Sequence, residues 1–84
     1  MTAPPRFREL ETVVLTRDLP EHGLERGDLG AVVALYAADA LEVEFVTAAG
    51  QTQALLTLST SDVRPVRDDD LLAVRPVRPV RGAA

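Results

Sequence analysis

The chain contains no cysteine, no lysine and no tryptophan, and only one histidine, His22. Without cysteine there is no disulfide, no zinc–thiolate site and no thiol nucleophile. Structural zinc takes about four protein ligands, so a single histidine also argues against histidine-based metal binding. Without lysine a Schiff base and a phosphate-loop lysine are both excluded. Aromatic residues make up 4% of the chain, too few for the stacking platforms that read single-stranded nucleic acid. Apolar runs are short: the longest, Ala31 to Ala38, falls well below the roughly 18 residues of a membrane span. The opening Met-Thr-Ala-Pro-Pro-Arg has no apolar signal core. A soluble, cytoplasmic protein is expected.

The sequence has 84 residues, 46% of them apolar, and a net charge of −4. That is the size of one small domain, too apolar for a disordered chain. The charge is unevenly spread. Glu9 to Val66 carries ten carboxylates and three arginines, a net −7, whereas Leu71 to Ala84 carries three arginines and no acid. An acidic body is joined to a basic tail.

Residues 1–8 read as an N-terminal arm, with Phe7 as its docking residue. Residues 9–67 read as the folded domain and residues 68–84 as a Pro/Arg-rich tail. Within the domain, Thr12 to Thr16 is β-branched and apolar, which predicts a strand. Its three consecutive apolar residues leave the inward face undecided. Arg17 to Leu29 is a long loop punctuated by Pro20, Gly23 and Gly27, with Leu19 and Leu24 expected to pin it to the core. Gly30 to Tyr36 is the second strand, with Tyr36 expected to be half-buried. Leu41 to Thr47 alternates, placing Leu41, Val43 and Phe45 inward and Glu42 and Glu44 outward. After a turn at Ala48-Ala49-Gly50, Gln51 to Leu58 forms a fourth strand, with Thr52, Ala54, Leu56 and Leu58 inward. Ser59 to Asp62 is a polar turn, suited to one turn of 3₁₀ helix. Val63 to Val66 is a short fifth strand, at a sheet edge because Pro65 lacks an N–H. Asp68 to Asp70 suit the start of one helical turn through Val74, and Pro76 and Pro79 favour extended chain beyond it. Five short strands, a long first loop and little room for helix predict an all-β, five-stranded SH3-like barrel with a Pro/Arg-rich C-terminal tail. The structural alternative is an OB-fold, which normally takes a longer chain and often a helix.

The block D-L-P-E-x-G-L-x-x-G-D-x-G (Asp18 to Gly30), the strand E-V-E-F (Glu42 to Phe45) and the closing V-R-P-V (Val63 to Val66) resemble a family of small bacterial proteins known as domain of unknown function family 4926. The resemblance covers about residues 12–66. It implies an SH3-like barrel and no established activity. Genes of this type resemble one half of two-gene units, which implies a protein partner and an antitoxin-like or accessory role. The piece Gly27 to Val32, G-D-x-G-x-V, also resembles the KOW motif of ribosomal and transcription proteins, in which the glycines serve a turn into a barrel strand.

No catalytic constellation stands out. Asp18, Glu21, Glu25 and Asp28 crowd the long loop, but their spacing matches no cation-binding loop. Asp28 beside two glycines fits a turn-stabilising aspartate, and His22 has no nucleophile at a recognisable motif beside it. A non-enzyme without cofactor or metal is expected. The expected function is a protein-interaction module, antitoxin-like or an accessory subunit, whose acidic surface meets a basic partner. The alternative is a KOW-like nucleic-acid-binding barrel, which the −7 body opposes through phosphate repulsion. Partner contacts are expected from Asp18, Glu21 and Glu25 on the loop, Glu42 and Glu44 on the alternating strand, and Arg75, Arg78 and Arg81 on the tail. Val-Arg-Pro-Val-Arg occurs at Val63 to Arg67, Val74 to Arg78 and Val77 to Arg81, and Pro76 to Arg81 fits the polyproline-ligand pattern P-x-x-P-x-R. The tail is expected to lie on an acidic face of its own chain, or of a neighbouring copy as a route to a homo-oligomer, or else to serve an external groove.

Overall fold

The computed structural model of the chain describes residues 7–77. Its strands are β1 (Thr12–Leu15), β2 (Leu29–Ala37), β3 (Ala40–Val46), β4 (Thr52–Ser59) and β5 (Val63–Pro65), with single 3₁₀ turns at Pro20–His22 and Thr60–Asp62. All pairings are antiparallel, and the sheet order is β4-β3-β2-β1-β5. The all-β class and the five strands agree with the sequence reading.

One buried cluster takes residues from every strand: Val13 and Leu15, Val32, Leu41 with Val43 and Phe45, Ala54 with Leu58, and Val63. The described residues offer no helix or second sheet to cover these side chains. The sheet therefore bends so that its own two ends bury one common face. The nine-residue β2 makes this possible by pairing with β1 early and with β3 along its length. Its register with β3 shifts between Val32 and Ala34 and again between Leu35 and Ala37. Such bulges bend a strand and increase its twist.

The ladder does not close into a barrel. β4 and β5 remain the two edges of an open, bent sheet. β5 has three residues and ends at Pro65, which has no N–H with which to extend the pairing.

Two other expectations are corrected. Thr52 faces outward, because β4 has one extra residue, Gln53, between the partners of Phe45 and Val46. With a side-chain period of two, one extra residue flips the face. The Thr52 hydroxyl then donates to Glu44 Oε2, itself on the outer face. Tyr36 is 58% exposed, because it is the unpaired residue of the second bulge of β2, between Leu35 and Ala37. Leu56 is partly buried against the cluster, and Leu19, Leu24 and Phe7 are buried within it.

The long loop is folded rather than slack. Leu19 and Leu24 exchange backbone hydrogen bonds of 2.9 and 3.1 Å across the turn at Pro20–His22. The Asp18 carboxylate accepts from the Arg26 amide at 2.8 Å. Gly27 has φ +96°, a conformation that side-chain-bearing residues rarely adopt. Its amide donates to the Leu15 carbonyl. At the start of β2, a methyl group on Gly30 would lie 2.6 Å from Val43 Cγ1 and 2.9 Å from Phe45 Cε1. Gly30 is the gap into which the Phe45 ring fits.

Two outcomes follow for stability. Phe45→Ala is expected to cost on the order of 3–5 kcal/mol, read as a large fall in denaturant midpoint. Gly30→Val is expected to destabilise by roughly 1–3 kcal/mol through overpacking. A melting temperature unchanged in either variant contradicts the packing of Phe45 on Gly30.

Candidate functional site

The outer face of the sheet is where the tail lies. In β1, Val13 and Leu15 point to the core, and Val14 points away from it yet is only 7% exposed. Its cross-strand neighbours are Leu29 and Arg64. These three residues, with Gly27, line a small recess of about 110 Å³ whose other walls are Asp70, Leu71, Leu72 and Ala73. The tail supplies the cover that the outer residue of β1 lacks within the sheet.

Two aspartate–arginine pairs hold the tail there. Arg64, on β5, donates from both terminal nitrogens to the two oxygens of Asp70 at 2.8 Å each. The Arg67 amide donates to the same carboxylate at 2.6 Å. Asp70 therefore caps a tight backbone turn and does not start a helix: no helix forms between Arg67 and Val77. The carboxylate has gone to the nearer cation, and Pro76 would stop any helix within a turn.

The second pair closes the strap. Arg75 Nε donates to Asp28 Oδ1 at 2.8 Å, and Nη2 donates to Asp28 Oδ2. Nη2 also donates to the Gly23 carbonyl at 3.1 Å, and Nη1 donates to the Pro76 carbonyl at 3.2 Å. Nη1 stands 3.5 Å from Glu25 Oε2. The guanidinium fork is thus used on every side, in the bidentate geometry that favours arginine over lysine. Asp28 is itself held in place, since Oδ2 accepts from the Glu25 amide at 2.8 Å. This is the turn role read from the sequence, with an ion pair added to it.

Beside this notch lies an open cleft of about 490 Å³. Its walls are the loop residues Leu24 and Leu29, Phe45 and Val46 at the end of β3, and Val74 and Val77 of the tail, among others. The cleft is mainly apolar, with the Asp28–Arg75 pair in its rim.

The expected partner-contact residues divide accordingly. Glu25 and Arg75 meet in the notch; Asp18 braces the loop from within; Glu21 lies exposed on its 3₁₀ turn. Glu42 and Glu44 stand apart on the outer face of β3, opposite Ala34 and Thr57, and Ala31 and Leu55, respectively. Glu42 lies beside the Tyr36 hydroxyl and raises its pKa. Arg78, Arg81 and the greater part of the P-x-x-P-x-R stretch lie outside the described residues, as do residues 1–6 of the arm. The Gly23 carbonyl and the Arg64–Asp70 pair were not anticipated. The charge contrast between body and tail announced an attraction, but nothing in composition selects which aspartate takes which arginine. His22 is half-buried, and its carbonyl accepts from the Gln53 side chain at 3.1 Å. Among the described residues, no group of three or more acidic, histidine or cysteine side chains is placed to hold a metal ion, and no helix is long and apolar enough to cross a membrane.

A bent five-stranded antiparallel sheet with an arginine-holding notch and a cleft defines a small all-β domain. Residues 9–65 match the family described as Domain of unknown function (DUF4926), and the chain belongs to that family. The tail that completes the notch lies beyond the matched segment. Neither comparison with curated proteins nor comparison with solved structures returned a significant match.

The ion pairs make stability depend on acid. Burial works to raise the Asp28 carboxyl, but the Arg75 guanidinium and the Glu25 amide outweigh it, and the net pKa is below the ordinary value. Arg17 lowers Asp62, and Arg64 with the Arg67 amide lowers Asp70 strongly. A depressed folded-state pKa gives stability that is complete above the unfolded value, near 3.9, and lost as pH falls through the folded value. Melting temperature is therefore expected to hold above about pH 4–5 and to fall below it. Asp28→Asn/Asp70→Asn is expected to lower it at neutral pH and to show a shallower acid limb in melts taken from pH 7 to 2. Parallel acid limbs in wild type and variant would contradict the pairing.

Proposed function

We propose that this domain is a non-catalytic protein-interaction module, antitoxin-like or an accessory subunit, that takes a basic protein partner. The observation that carries the reading is the long loop of the acidic body, which holds an arginine of an extended segment through Asp28, Gly23 and Glu25 at the rim of an apolar cleft. Charge complementarity of this type selects partners and steers their approach. Glu21 adds an exposed carboxylate to the same loop, while Glu42 and Glu44 form a separate acidic pair on the outer face of β3.

Nucleic-acid binding of the KOW type is less well supported. The exposed aromatic, Tyr36, has Glu42 beside it and not an arginine. Arg17, Arg64 and Arg75 are each paired with an aspartate, which cancels charge that phosphates would need.

Affinity capture from the native cell, with RNase and DNase treatment, tests the reading. A basic protein is expected to persist after nuclease, to be released by high salt, and to be lost from a Glu21→Gln/Glu25→Gln bait. Nuclease-sensitive capture, or submicromolar binding of the purified protein to a labelled oligonucleotide with a steep salt slope, would reverse the ranking.

A further inference from the structure

We propose that the Asp28 notch and its cleft form a receptor for an arginine-proline segment of another protein, and that Arg75-Pro76-Val77 is the resident self-ligand such a segment displaces. This rests on the interaction-module reading and names the ligand chemistry of its site.

The notch has the features of a built arginine site. The carboxylate is fixed by the Glu25 amide, the Gly23 carbonyl supplies a third acceptor, and Glu25 adds negative charge behind them. A planar guanidinium satisfies this arrangement, and the Pro76 carbonyl takes the Nη1 donor. Proline after the arginine keeps the segment extended as it leaves the notch.

The tail fills this site poorly. Val74, next to Arg75, is 101% exposed, and Leu71, four residues before it, is 92% exposed, so these apolar side chains gain little from docking. Val74 and Val77 stand at the wall of the cleft and leave its volume open. The segment is held by ion pairs whose side chains remain in part accessible: 27% for Arg75 and 18% for Asp28. Pairs of this kind are weak and screened by salt. The attachment persists because the tail is tethered, which gives it a high effective concentration. A competitor with the same arginine and proline and a large apolar neighbour gains what the tail forgoes, because that neighbour can enter the cleft between Phe45 and Leu29.

The test uses the full chain and a fluorescein-labelled synthetic peptide, Leu-Leu-Ala-Val-Arg-Pro-Val, read by fluorescence anisotropy at low salt. Arg75→Ala frees the notch and is expected to bind the peptide at least about tenfold more tightly than wild type, which must first release its own tail. Asp28→Asn/Arg75→Ala is expected to lose that binding, as is the peptide with alanine in place of arginine. Glu25→Gln/Arg75→Ala leaves the Asp28 turn intact and is expected to weaken binding severalfold, so the result does not depend on how well the Asp28 variant folds. Equal affinity of wild type and Arg75→Ala, or binding by Arg75→Ala indifferent to both carboxylate changes, would overturn the proposal. Nuclease-resistant capture of a basic protein by the unaltered domain would then still stand as separate evidence for an interaction module.

Discussion

Among the described residues a single sheet supplies most of its own cover, helped by Phe7, Leu19 and Leu24, and this imposes one constraint on everything else here: it must bend. The apolar faces of β1 and β5 meet those of β3 and β4 only if β2 curves through its bulges and the two halves approach closely. At Gly30, on β2, the space of a missing side chain is filled by Val43 and Phe45 of the neighbouring β3. The bend positions the loop between β1 and β2 against the end of β3, and that juxtaposition creates the cleft. Site and core therefore share Leu24 and Phe45.

The bend also leaves an outer face. On its β1 side that face carries Val14 and Leu29, apolar residues over which the described residues place no second layer of secondary structure. The chain covers them with its own C-terminal segment, fastened at Asp70 by Arg64 and at Arg75 by Asp28. Both fastenings use the second residue of a Val-Arg-Pro-Val-Arg repeat, once in β5 and once in the tail. The same bidentate pairing thus recurs at either end of the strap with the roles reversed: body arginine to tail aspartate, then tail arginine to body aspartate. The apolar side chains of the strap remain largely in solvent, so its hold depends on charge more than on burial.

Much of the fold could be read from the residues because the rules involved are local. Leu41, Val43 and Phe45 alternate with Glu42 and Glu44 on a strand with one wet face, and the pattern alone assigns them. The turn chemistry of Gly27-Asp28 and the edge position of Pro65 follow from missing atoms, a Cβ in one case and an N–H in the other. Alternation puts Thr52 on the wrong face, because a bulge changes the face without leaving a mark in composition; nor could Val14 be placed, since three successive apolar residues in β1 become intelligible only when the tail is seen over the middle one. Asp70 reads as a helix start, but the turn from Arg67 to Asp70 folds it back onto Arg64 only six residues earlier, and residue type alone does not separate such a turn from a helix start. The attraction between acidic body and basic tail was legible as net charge, but the identity of the pair depends on where a folded loop aims one carbonyl and one carboxylate.

The strap depends on Arg75 being held by Asp28 and Gly23 in the free protein. The most direct measurement is the NMR signal of the Arg75 side-chain Nε–H. A hydrogen-bonded guanidinium held on two sides is expected to give a resonance displaced from that of free arginine, slow to exchange with water, with heteronuclear NOE values for residues 71–77 close to those of the strands. Asp28→Asn should return that signal to the free-arginine position. A wild-type Arg75 signal already at the free-arginine position, with low heteronuclear NOE values along residues 71–77, would contradict the account.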